Sequence, residues 1–188
     1  MAAEPIHRKL FTTHDYHAMA ESGILSPDDR VELIEGEIWQ MSPIGPSHVS
    51  RVTRLDRALQ RRLAEREAIV IVQAPIHLDD HSEPQPDLAL LRFRDDFYAT
   101  GLPAPPDILL VVEVSDTTSH HDRRVKMNLY ARHGLPEAWL CDLPRAVIEV
   151  YRDPSPAGYG EILTLRRGDR ISPLAFPDLA IEVEAILG

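Results

Sequence analysis

Ile108-Leu109-Leu110-Val111-Val112-Glu113-Val114 is the most strand-like run of the chain, and its sixth residue carries a charge. Five consecutive aliphatic side chains suit a strand at the centre of a core. An ionised carboxylate there is strongly unfavourable unless it is paired, hydrogen-bonded or bound to a metal. Whatever satisfies Glu113 therefore decides both the architecture around this strand and the chemistry it supports.

The segment that follows has helical spacing. Asp122, Val125, Lys126, Leu129, Tyr130 and His133 repeat at steps that place them on one face. Val125, Leu129 and Tyr130 mark that face as the packing side, so Lys126 points inward while Arg123, Arg124 and Arg132 lie toward the outside. The spacing predicts a helix over about 119–133, closed by Gly134 and Pro136. Lys126 is one of two lysines among twenty basic residues, which makes its position more informative than usual.

Upstream, Glu83-Pro84-Gln85-Pro86-Asp87-Leu88-Ala89-Leu90-Leu91 holds an extended approach through two prolines and then opens an apolar strand with Asp87. Two carboxylates on neighbouring strands, next to a cation, make a hard-oxygen site. Mg²⁺ is usually held by one or two carboxylates, with waters and substrate phosphate completing its octahedron. Such an ion stabilises charge on a transferring phosphoryl group and helps deprotonate a bound water. Lysine beside it would position the water or stabilise the phosphorane.

The remaining pattern places these strands in an α+β order. Thr13 caps a short helix through about Glu21. Val31 to Glu35, Gly36, then Glu37 to Met41 reads as a strand, a tight turn and a return strand. Ser47 caps a longer helix to about Glu67. Val52, Leu55, Leu59 and Leu63 stripe one side of it, with His48 inward beside them; Arg51, Arg54, Arg57 and Arg61 stripe the other. That basic stripe reads as a solvated face or as a DNA contact. Further strands are expected at 69–73, 76–78, 87–92, 137–142, 147–152 and 159–165, the last three in a half-exposed antiparallel sheet. Asp153 to Gly158 reads as a hairpin loop, and Leu179 to Ile186 as a short strand or helical turn.

Composition sets outer bounds. The 188 residues suit a single domain spanning 1–188, and 44% apolar with 27% charged residues is ordinary for a globular protein. No apolar run approaches the ~20 residues of a membrane span, so no membrane partner is expected. Cys141 is the single cysteine, which excludes an intrachain disulfide and suits a cytoplasmic location. A formal charge of −10 argues against nonspecific polyanion binding without excluding a local basic face. There is no Gly-x-Ser-x-Gly elbow and no Gly-rich phosphate loop ending in Lys-Ser/Thr. The nine histidines lack the pairing of a His-Glu-x-x-His zinc helix.

Plainer readings stand beside these. Glu113 suits an internal ion pair with an arginine, and Lys126 suits an i,i+4 pair with Asp122, worth ~0.3–0.5 kcal/mol if exposed. Asp122 and Ser115 read as supporting residues, Asp122 by accepting from Lys126 or capping the helix, Ser115 by capping it or bonding Glu113. His48 suits a satisfied core position, and Glu35 a solvated hairpin turn.

Several separated motifs together resemble one family. They are Val31-Glu32-Leu33-Ile34-Glu35-Gly36-Glu37-Ile38, Pro46-Ser47-His48, Pro86-Asp87, Glu113-Val114-Ser115, Asp122 with Lys126 and Tyr130, and Gly134-Leu135-Pro136-Glu137-Ala138-Trp139-Leu140-Cys141-Asp142. In this order, from about Thr13 to Ala185, the chain is similar to the Uma-type endonucleases of the PD-(D/E)xK superfamily. The resemblance implies a restriction-endonuclease-like fold with a central mixed β-sheet flanked by helices. With the carboxylate pair, the resulting expectation is hydrolysis of DNA phosphodiesters with Mg²⁺, or Mn²⁺ as a substitute, although the resemblance itself implies little about substrate; a homodimer is expected because one such site cuts one strand. By the same resemblance Asp87 and Glu113 bind the metal, Lys126 is the catalytic lysine, and Glu35 and His48 assist. The chain departs from the superfamily's simplest pattern at Ser115, where a lysine is expected; the Uma-type pattern moves it to the next helix, which fits Lys126. Two rival readings accompany this one: a non-catalytic nucleic-acid or protein-binding domain that keeps the fold, and a metal phosphodiesterase for RNA or a small substrate.

Overall fold

The computed structural model describes residues 8–26, 28–63, 67–116 and 120–188, with the backbone alone for 120–123. The chain divides into two compact units, one of 1–42 with 77–84 and one of 43–76 with 85–188.

The first unit holds α1 (Thr13–Glu21) and a hairpin of β1 (Val31–Ile34) and β2 (Glu37–Gln40). Thr12, not Thr13, caps α1, in a reciprocal box: Asp15 N–H donates to its hydroxyl while its own N–H donates to the Asp15 carboxylate. The hairpin turn is Glu35-Gly36, with φ of 49° and 78°. Both central residues are left-handed, the turn that matches strand twist and needs glycine most.

In the second unit a six-stranded sheet runs β3 (Ala68–Val72), β4 (Leu88–Arg92), β5 (Ile108–Ser115), β6 (Glu137–Asp142), β7 (Val147–Ser155) and β8 (Gly158–Leu165), neighbours in that order. Neighbours pair antiparallel except β5 with β6, which are parallel. A parallel pair needs a crossover, and α3 (His120–Arg132) supplies it between those two strands. The sheet is therefore mixed, as expected, with α2 (Pro46–Gln60) and α3 packed on it. A two-stranded ribbon of β9 (Arg170–Ile171) and β10 (Ile181–Glu182) and the short α4 (Val183–Leu187) complete the unit.

The core lies where α2 and α4 cover the sheet: Val52, Leu55 and Leu59 of α2 meet Leu90, Leu110, Val112 and Trp139. Five expectations change. Gly45 caps α2, with Pro46 at its first position, where a missing N–H costs nothing, so Ser47 is inside the helix. That helix stops at Gln60 rather than near Glu67. Residues 76–78 form no strand. Residues 154, 155 and 158 continue the β7–β8 pairing, with Asp153 at φ 59° filling the space left by Gly160, so the loop shrinks to Pro156-Ala157. β6 is also buried along its whole length, not half-exposed.

Candidate active site

The registers of β4 and β5 position the two carboxylates. Leu88 pairs with Val112 in an antiparallel ladder, so one step further Asp87 stands opposite Glu113. Opposed residues on antiparallel strands project to the same face. The Val114 N–H donates to Asp87 Oδ2 at 2.8 Å, which binds the aspartate to the end of β5. Gln73, in a left-handed conformation after β3, makes a long contact of 3.5 Å to Asp87 Oδ1 and is itself held by Gln85.

The crossover geometry brings the cation. Lys126 Nζ lies 3.2 Å from Glu113 Oε1, and both side chains are largely buried, 15% and 13% exposed. The Tyr130 hydroxyl donates to the same oxygen at 2.5 Å, a length typical of a charge-assisted O–H···O⁻ bond. Glu113 is thus satisfied by a lysine and a tyrosine one helical turn apart. The spacing marks Tyr130 as a packing residue and the resemblance includes it in a motif, but neither gives it a partner. Its i,i+4 relation to Lys126 on the inward face was the available signal.

His48 is buried in the first turn of α2, as the stripe implied, and its Nε2 lies 2.9 Å from Asp87 Oδ1. Its bond to Asp87 raises the imidazole pKa above the ordinary value; desolvation opposes this, and the negative charges of Asp87, Asp116 and Glu113 add to it. Among the described residues its Nδ1 is buried without a hydrogen-bond partner.

The other predicted residues occupy the following positions. Glu35 sits in the left-handed turn of the first unit, with its N–H on Ser82 Oγ at 3.2 Å. Ser115 ends β5 opposite Asp142, and its carbonyl accepts from Leu143 N. The side chain of Asp122 lies outside the described residues. Cys141 is fully buried, and desolvation with the nearby Asp87 charge pushes its thiol up to about 12, so it is no nucleophile.

An internal carboxylate–arginine pair occurs at Glu137. This fully buried carboxylate accepts from Trp139 Nε1 at 3.0 Å, from Arg152 Nε and Nη2 at 2.8 and 2.7 Å, and from Leu174 N at 2.6 Å. Four donors and no open approach make it a structural hub. Glu113 differs in being partly accessible and in sharing its face with Asp87.

Among the described residues no three His, Cys, Asp or Glu side chains are arranged to hold a metal ion between them. Also among them, no helix is long and apolar enough to cross a membrane.

No curated protein matches the chain. A solved structure described as a "putative nuclease belonging to DUF820 from Anabaena variabilis ATCC 29413" superposes with a TM-score of 0.76 at 16% identity, covering 94% of this chain and 97% of that one. At that identity the likeness establishes the fold: an α+β, restriction-endonuclease-like arrangement around a mixed sheet. The model of the Uma2 family, described as "Putative restriction endonuclease", matches residues 13–184, nearly the whole chain, and the protein belongs to that family.

Proposed function

We propose that this protein is a metal-dependent endonuclease that hydrolyses DNA phosphodiester bonds with Mg²⁺, or with Mn²⁺ in its place. The observation that carries the reading is the Lys126–Glu113 pair at 3.2 Å, on a strand whose register sets Asp87 opposite Glu113. Two hard carboxylates fit Mg²⁺, which needs only one or two and keeps its waters. An ionised carboxylate has about four lone-pair sites, so Asp87 retains capacity beyond its bonds from His48 and Val114. Asp87 and Glu113 would hold the ion. When bound, it supplies charge neutralisation at the phosphate and a more acidic water.

The chain's own residues do the rest. Lys126 would offer its ammonium to the attacking water and to the negative charge developing on the phosphoryl oxygens, and interactions that strengthen in the transition state lower the barrier. The water oxygen forms the new P–O bond as the bond to the leaving oxygen breaks opposite it, and a proton is transferred to that oxygen. Tyr130 fixes the Glu113 carboxylate, and the Val114 N–H with His48 fixes Asp87. Glu35 is kept as an assisting residue on family likeness, and a homodimer would supply one site per strand of a duplex.

The test is cleavage of supercoiled DNA with Mg²⁺ or Mn²⁺, against Glu113→Ala and Lys126→Met controls. Nicking lost in both controls is expected. Nicking equal in wild type and Glu113→Ala would assign the activity to a contaminant and refute the site. Absence of nicking with either metal, together with cleavage of RNA, would move the substrate to RNA.

A further inference from the structure

The second face of α2 takes no part in this site, yet it is the most basic surface in the sequence. Between residues 51 and 62 stand five arginines, 51, 54, 57, 61 and 62, against one acid, Asp56, in a chain of net charge −10. Asp56 accepts a hydrogen bond from Gln60 at 2.7 Å. Arg54, Arg57, Arg61 and Arg62 are exposed and, with Ala58 and Ala185, line an open groove of about 620 Å³. Among the described residues none of Arg54, Arg57 and Arg61 makes an ion pair, and Arg62 donates only to the Ala58 carbonyl, at 3.2 Å. Four guanidinium groups thus line one groove, none of them ion-paired to a described side-chain carboxylate, with Gly188 lying against Arg54.

The same helix carries His48 in its first turn, against Asp87. At a rise of ~1.5 Å per residue, Arg54, Arg57 and Arg61 lie roughly 9, 14 and 20 Å along the axis from His48. A B-DNA strand places one phosphate per ~3.4 Å of axis, so ~20 Å of helix runs beside about six phosphates. Guanidinium forks match phosphate oxygens bidentately, and arginine sheds its water more easily than lysine does. An acidic protein partner would meet the same charges but has no reason to lie along a helix that starts at the carboxylate site.

We propose that the Arg54–Arg57–Arg61 face of α2 is the track that seats the phosphate backbone of the nucleic acid, outward from the carboxylate site. The proposal rests on the nuclease reading for its direction along the helix. It explains how a strongly acidic chain holds a polyanion: binding is confined to one basic strip, and the remaining surface repels.

The experiment compares the intact protein with an Arg54→Gln/Arg57→Gln/Arg61→Gln variant in EDTA, so that nothing is cut. Fluorescence anisotropy with a 30-base-pair duplex and a 30-nucleotide RNA is read from 50 to 200 mM KCl, with polyglutamate of matched charge as competitor. Each phosphate contact contributes ~0.9 to the slope of log K against log salt for duplex DNA. The triple variant should therefore lose about 2.7 from the duplex slope. That makes its loss of affinity across this salt range ~40-fold smaller than that of the wild type, with an unchanged thermal midpoint. The RNA arm shows which polymer binds more tightly, and an arginine-dependent slope on either supports the track. An unchanged slope on both overturns it, as does polyglutamate displacing both as well as unlabelled duplex does, which would mark a protein-docking surface. Arginine-dependent binding without cleavage in Mg²⁺ or Mn²⁺ would retire the hydrolytic reading alone. Cleavage with an arginine-independent slope would retire this inference alone.

Discussion

Replacing Tyr130 by Phe removes one oxygen from the interior and leaves the ring in place. The ring is fully buried, and its hydroxyl bonds Glu113 Oε1 at 2.5 Å. Hydrogen bonds to charged groups contribute about 1.5–3 kcal/mol, and more is retained when water cannot replace the donor. Glu113 is only 13% exposed, so little water can. Lys126 remains at the same oxygen, which argues for the lower half of that range. The expected cost is therefore ~1.5–2 kcal/mol, or a fall in thermal midpoint of roughly 3–8 °C for a chain of this size. Groups that orient metal ligands typically change metal affinity or activity 10–100-fold, and the same loss is expected in the Mg²⁺ dependence of cleavage. A double-mutant cycle with Glu113→Gln, followed by denaturant unfolding, isolates the pairwise part. Coupling below ~0.3 kcal/mol would show that the hydroxyl does not hold the carboxylate. A stability loss without any change in metal dependence would reduce Tyr130 to a packing residue.

Arg152→Met should destabilise by about 3–5 kcal/mol, because it strands the fully buried Glu137 charge; a shift below ~1 kcal/mol in urea unfolding would show that Trp139 and Leu174 satisfy it alone. In metal-free protein, His48 should titrate above 6.5, raised first by its bond to Asp87. Its stabilising contribution is then complete below the unfolded value and fades as pH rises through the folded one. A two-dimensional NMR titration reads this directly: Asp87→Asn should bring the midpoint down, and a wild-type midpoint at or below 6.5 would contradict the pairing.

What could be read from sequence was whatever depends on periodicity within one element. The α2 stripe put His48 and Leu55 inward, and the α3 stripe put Lys126 and Tyr130 there. The boundaries of β6 were also legible, but its surroundings were not. Glu137 and Asp142 at its two ends look like solvent-facing residues, yet Arg152, Trp139 and Arg145 satisfy them inside the fold. Arg152 comes from β7, where no local pattern in β6 announces it, whereas Trp139 lies on β6 itself and Arg145 in the turn that follows. The Asp153 to Gly158 segment misled for a related reason. Its proline and glycine content signals a loop, whereas Gly160 across the ladder makes room for the left-handed Asp153. For the site, residue types and faces pointed to Glu113 with Lys126, while the Tyr130 and His48 contacts required three dimensions.

The bond from the Val114 N–H to Asp87 Oδ2 has a consequence for strand register. The carboxylate takes the place that a neighbouring strand's carbonyl would fill, so it acts as a surrogate main-chain acceptor just past the end of β4. A slip of one residue between β4 and β5 would turn every side chain to the opposite face, sending Asp87 away from Glu113 and losing this bond at once. The residue proposed to offer oxygen to a cation is thus also the latch that keeps the ladder from sliding. Asp87→Asn keeps an acceptor for the latch and removes the charge, whereas Asp87→Ala removes both.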